Sequence, residues 1–169
     1  PNVISYSAAI SAFEKGEQWQ QALGLLAAMQ KGDLEPNVIS YNCVMKAWSY
    51  AKDPSSVTKI TSLLRDLIDQ SETNPKMRPN DNTFGTVLKF LADSDLPDKV
   101  KRAKAIENLM NIFLERGPKP WVKRELQRCL SSNENDSNST SNETPTSRAT
   151  EEQSKGNLTS EITMSFDSM

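Results

Sequence analysis

Tyr6, Ala9, Ile10 and Phe13 fall at i, i+3, i+4 and i+7 in the stretch VISYSAAISAFEK, which predicts one apolar helix face over residues 3–15. Ala8, Ala9 and Ala12 are small, so a neighbouring element can pack close. Gly16 ends this pattern. QWQQALGLLAAMQ then puts Ala22, Leu25, Leu26 and Met29 on a second face over residues 18–30, with Gly32 as a stop and Pro36 beyond it. The pattern restarts over residues 39–52, where Tyr41, Val44, Met45 and Trp48 share a face. Asp53-Pro54 reads as an N-cap and a first-turn proline, opening a helix to Gln70 that buries Val57, Ile60, Leu64, Leu67 and Ile68. After the loop SETNPKMRPN, Phe84, Val87, Leu88 and Leu91 mark another first helix. Its partner runs from near Pro97 to Arg116, with Ile106, Leu109, Met110 and Phe113 inward and Gly117-Pro118 as the stop. Residues 121–130, WVKRELQRCL, form one more short amphipathic helix, which would cover the exposed end of the stack.

The restart is literal. Pro1–Tyr6 and Pro36–Tyr41 are identical, at an offset of 35 residues. A two-helix unit recurring at that period predicts an all-α solenoid of about three helix-turn-helix hairpins, because one such hairpin cannot bury its apolar face alone. The units are 3–37, 38–80 and a degenerate 81–121, followed by a capping helix over 121–130. The second unit is the longer one, and the extra length is placed in its second helix and loop. Ser131–Met169 is rich in Ser, Asn, Thr and Glu with few aliphatics, too little to offset chain entropy, and is predicted to be disordered. Its N-x-S/T triplets at Asn135, Asn138, Asn142 and Asn157 are what such a composition produces by chance.

Charge divides the chain in the same place. From Ser131 on there are seven acidic and two basic residues, whereas Pro1–Leu130 has 18 basic and 15 acidic ones. A mildly basic body suits a polyanionic partner. Cys43 and Cys129 are far apart and in no metal-ligand spacing, which fits a reducing compartment. No apolar run approaches the roughly 20 residues of a membrane span. The chain starts within a repeat and without Met, so it is read as a fragment whose targeting peptide would lie outside it. It has no histidine, no glycine-rich phosphate loop and no activating partner in sequence for either cysteine, so no enzyme is expected. Asp93–Asp98, DSDLPD, lacks the glycine and distal glutamate of a calcium loop and reads better as helix capping.

The tetratricopeptide pattern W-x2-L-G-x2-Y is missing. Pro-Asn-Val-Ile-Ser-Tyr-Ser/Asn, followed by a small-residue helix and QALGLLAAM, instead resembles the pentatricopeptide repeat. NVISYSAAISAFEKGEQWQQALGLLAAM is especially similar in wording to repeat arrays of unicellular algae. The resemblance covers residues 3–121 and is strongest in the first unit. It implies a right-handed solenoid that binds single-stranded RNA sequence-specifically, in a mitochondrion or chloroplast, for RNA processing, stability or translation. It implies no cofactor, no small-molecule substrate and no membrane partner, and it leaves the oligomeric state open.

The resemblance also assigns roles. Ser7, at the fifth place of the first unit, and Asn37, at its last, would read one base as the usual adenine pair. Ile4 would pack on the base and Lys15 would approach phosphate. In the second unit Asn42 and Asn80 form the reading pair, a combination that goes with a pyrimidine, and Ile39 is the packing residue. Tyr50 stands where a lysine would be. The third unit departs, with Gly85 at the fifth place, Trp121 at the end and Asn82 at the packing place, and is not expected to read a base. Tyr6, Tyr41 and Phe84, one place before the reading residues, belong to the hairpin core. Lys99, Lys101, Arg102 and Lys104 fall on a second helix and read as a solvated face. The alternative is a protein–protein scaffold of tetratricopeptide type, holding a peptide in the same groove.

Overall fold

In the computed structural model the described residues are 2–16, 18–32, 34–51 and 53–131. The expectation of a disordered tail over 131–169 falls, beyond Ser131, outside them. The described residues form seven α-helices and no strand: α1 (Val3–Lys15), α2 (Trp19–Lys31), α3 (Val38–Ser49), α4 (Ser56–Ser71), α5 (Asp81–Asp93), α6 (Lys99–Phe113) and α7 (Pro120–Leu130). A single 3-10 turn, Pro75–Met77, precedes α5. This is an all-α helical repeat solenoid. The first helices form one row, with α1 against α3, α3 against α5 and α5 against α7. Each second helix packs on its own first helix, α2 also touches α3, and α6 also touches α7.

The same capping device starts the first helices. Asn2, Asn37 and Asn80 are N-caps in extended backbone, and each side-chain oxygen accepts backbone N–H groups of the first turn. Those N–H groups have no partner inside the helix, so an asparagine here is worth about 1 kcal/mol over alanine. At Asn80 the cap is reciprocal, because Asn80 N–H donates to Thr83 Oγ1 at 3.1 Å. The fourth start differs. Lys119 is the N-cap of α7, Pro120 is its first residue, and the Lys119 N–H donates to Asp81 Oδ1 at 2.8 Å.

One continuous core runs between the rows. Tyr41, Val44, Met45 and Trp48 on α3 and Phe84, Val87, Leu88 and Leu91 on α5 are all buried, as the helical pattern requires. On α1 only Ile10 is fully buried, while Tyr6 and Phe13 pack partly exposed, since nothing is stacked before them among the described residues. The buried Tyr41 hydroxyl accepts from Gln30 Nε2 at 2.9 Å and Gln70 Nε2 at 2.7 Å, tying α2, α3 and α4 together. Trp19 packs on Trp48 with ring centroids 4.1 Å apart.

Helix starts differ in detail from the sequence reading. Asp53 does not cap α4. Its Oδ1 accepts the Ser55 N–H at 2.7 Å in a turn ahead of the helix, which starts two residues past Pro54. Asp98 stands at the N-cap of α6 but makes no capping bond, because its carboxylate pairs with Arg102 at 2.8 Å instead. Asp93 pairs with Arg128 of α7. Among the described residues no group of side chains could hold a metal ion.

Candidate nucleic-acid interface

The face of the first-helix row carries an unusual pair of side chains. Ile4 is 77% exposed and Ile39 is 58% exposed, although both sit in helices whose other large apolar residues turn inward. Both are the second residue of their helix, which is why they recur on the same side. A groove of about 510 Å³ opens next to Ile39 between α3 and α5. Asn42, Asn80, Asn82, Gly85 and Trp121 line it, with Lys46 and Lys89 further along.

At the groove floor three side chains hold one another. Thr83 Oγ1 donates to Asn42 Oδ1 at 2.8 Å, and Asn42 Nδ2 donates to Asn80 Oδ1 at 3.4 Å. Asn80 Oδ1 also accepts the Asn82 and Thr83 N–H groups as the cap of α5. The first repeat has the same arrangement in smaller side chains. Ser7 Oγ lies 3.0 Å from Ser40 Oγ, which donates to Asn37 Oδ1 at 3.3 Å. Asn37 Oδ1 accepts the Ile39 and Ser40 N–H groups as well. Ser40 and Thr83 are both the third residue of their helices, and both are fully buried. Each asparagine cap therefore spends its oxygen on the fold and keeps its amide N–H2 as the group it can offer outward.

Ile39, Asn42 and Asn80 are brought together in one groove, and Ser7 and Asn37 are joined through Ser40. Ile4 stands exposed on α1, outside that groove. Lys15 is the last residue of α1, and its side chain lies outside the described residues. Two lysines that sequence reasoning missed flank the site. Lys46 and Lys89 are the ninth residues of α3 and α5, one repeat apart on the groove side. Lys46 Nζ is 2.8 Å from Glu14, whose hydrogen bond raises the lysine pKa. Lys89 makes no ion pair among the described residues. Their shared place was the available signal, but Ser11 occupies it in the first unit.

The third unit has a different register from the one predicted. Trp121 is not its last residue. Because Lys119 caps α7 as Asn37 and Asn80 cap α3 and α5, Lys119 holds the last place and Trp121 the second, equivalent to Ile39 and Asn82. The cause is Pro120, whose fixed φ opens the helix, together with the Asp81 carboxylate that takes the Lys119 N–H.

Residues 1–49 match the model of the PPR repeat family. Over this stretch the chain is similar to PPR repeats. The match spans the first hairpin and the whole of α3, so it includes Ile4, Ser7, Asn37, Ile39 and Asn42. A comparison with curated proteins finds no match. Past residue 49 the geometry recurs, since α5 and its Asn80 cap repeat that of α3 and Asn37.

Proposed function

We propose that the first-helix face binds single-stranded RNA, reading one base with Ser7 and Asn37 and the next with Asn42 and Asn80, without catalysis. The observation that carries this is the recurrence of a polar triad at the same place in two successive units, each with an exposed isoleucine as the second residue of its first helix. Edges of unpaired bases offer the donors and acceptors such pairs can read, one base per helical repeat. In the first repeat the Asn37 amide offers a donor. The Ser7 hydroxyl, which donates toward Ser40 when Ser40 donates to Asn37, offers an acceptor. Adenine presents the complement, an acceptor at N1 and a donor at N6. Asn42 retains both a donor and an acceptor, which suits a pyrimidine. Ile4 and Ile39 supply apolar contact to base faces, and Lys15 and Lys89 supply attraction to phosphate.

The role proposed for such binding is processing, stabilisation or translation of transcripts in a mitochondrion or chloroplast. Two contacts of about 1–3 kcal/mol each leave the affinity of this chain near micromolar or weaker. The test is filter binding with random pools of single-stranded RNA and DNA. Enrichment of adenine followed by a pyrimidine, lost in Ser7→Ala and Asn42→Ala, supports the reading. Equal failure on both pools, with tight retention of a peptide, would favour a protein scaffold.

A further inference from the structure

We infer that Trp121 ends the reading groove, its indole filling the base position of the third repeat and giving the base held by Asn42 and Asn80 its stacking surface. The inference rests on the RNA reading above and extends it to a residue of α7. Gly85 stands at the fifth place of the third unit, where Ser7 and Asn42 stand in the others. A Cβ built there would lie 2.0 Å from Cη2 and 2.1 Å from Cζ3 of Trp121. Any side chain there would have to push the indole aside, so the glycine and the indole form one unit. The six-membered edge of the ring therefore lies where the third reading side chain would be.

Trp121 and Ile39 line the same groove as the Asn42–Asn80 pair. Asn82, at the second place between them, is polar and exposed and offers little apolar surface. Trp121 is half-buried, so part of the indole remains open to the groove. An indole has one N–H donor and no acceptor and cannot read a base edge, but its face stacks on any base. The recognised segment is then two nucleotides long, and the third nucleotide is unread.

The test titrates the full chain with short single-stranded RNAs carrying adenine, a pyrimidine and then each of the four bases or an abasic site. Tryptophan fluorescence is expected to be quenched on binding. Most of that quench is expected to vanish in Trp121→Phe, because Trp19 and Trp48 pack on each other. Trp121→Ala is expected to weaken binding by about 5- to 160-fold, the range of one lost stacking contact. Replacing the third base is expected to change nothing. If the quench persists in Trp121→Phe, or if the third base matters, the inference is overturned while the RNA reading stands. If Trp121→Ala unfolds, the Trp121→Phe quench still decides. Wild-type protein that binds no RNA overturns both.

Discussion

Thr83 Oγ1 donates to Asn42 Oδ1 at 2.8 Å across the seam between α3 and α5. The same hydroxyl accepts the Asn80 N–H that completes the cap of α5. One buried oxygen thus joins the helix start to the fifth-place side chain of the preceding repeat. In the preceding seam Ser40 Oγ likewise links the two places, lying 3.0 Å from Ser7 Oγ and donating to Asn37 Oδ1 at 3.3 Å. The side chains proposed to read bases are held by the fold before any ligand arrives, which lowers the ordering cost of binding.

Replacing Thr83 by Val keeps the shape and removes the hydroxyl. Asn80 N–H and Asn42 Oδ1 then lose a buried partner, which costs about 1–2 kcal/mol. The denaturation midpoint of Thr83→Val is expected to fall accordingly, and Thr83→Ser is expected to restore most of it. Equal midpoints for Thr83→Val and wild type would mean that this triad does not bind the two helices together.

Asn37 has two jobs that a pair of variants separates. Asn37→Ala removes the cap of α3, at about 1 kcal/mol, together with the outward amide. Asn37→Asp keeps a good cap but turns the outward donor into an acceptor. Its stability is expected to match wild type, while base preference moves away from adenine, whose N1 needs a donor, toward guanine, whose N1–H needs an acceptor. Thermal melts and RNA pool selection read the two effects independently. A stable Asn37→Asp protein that still selects adenine would remove Asn37 from base reading.

Much of the fold is legible because burial on both sides enforces the helical period. Tyr41, Val44, Met45 and Trp48 lie between neighbouring repeats and are all buried as their spacing demands. Tyr6 and Phe13 have the same spacing on the end helix and stay partly exposed. What fails is what depends on distant partners. The start of α7 has a local sign in Pro120, but the Asp81 carboxylate that takes the Lys119 N–H lies 38 residues earlier in the chain. Cys43 and Lys46 receive Glu14 from the preceding repeat in the same way. The reading pairs are legible through the 35-residue offset, but their shared hydroxyl is not, since Ser40 and Thr83 look like ordinary first-turn residues.

Alkaline pH is expected to weaken the fold. Burial pushes the Cys43 and Cys129 thiols from 9.0 up to about 11, with Glu14 adding to the effect at Cys43, and burial also raises Tyr41. Folded values above unfolded ones mean a contribution fully present below about pH 9 and lost as pH rises through 11. At the acid end the sign reverses. Arg102 holds Asp98 below its ordinary 3.8, so that contribution is present above this value and lost as pH falls below it. Melting temperatures across pH check both limbs, and Cys43→Ala is expected to flatten part of the alkaline one. A melting temperature constant from neutrality to pH 11 would contradict the burial of the thiols.

Glu14 sets how much positive charge the groove presents. Its side chain is 11% exposed and its carboxylate lies 2.8 Å from Lys46 Nζ, which is itself 47% exposed. The pair is close to neutral as seen by a phosphate, so Lys46 contributes little to attraction. Lys89, one repeat along the same wall, is exposed and makes no ion pair among the described residues, so it acts with its full charge. Glu14→Gln keeps the shape and a hydrogen-bond acceptor for Lys46 while removing the opposing charge. RNA affinity is expected to rise, with the slope of log K against log salt steepening by about 0.7 for one added phosphate contact on a single strand. Lys89→Ala is expected to flatten the slope by a similar amount and to weaken all sequences alike, since phosphate contacts carry no base information. Affinities measured at several salt concentrations separate these effects from any loss of fold. A Glu14→Gln protein with an unchanged slope would place the RNA backbone away from Lys46.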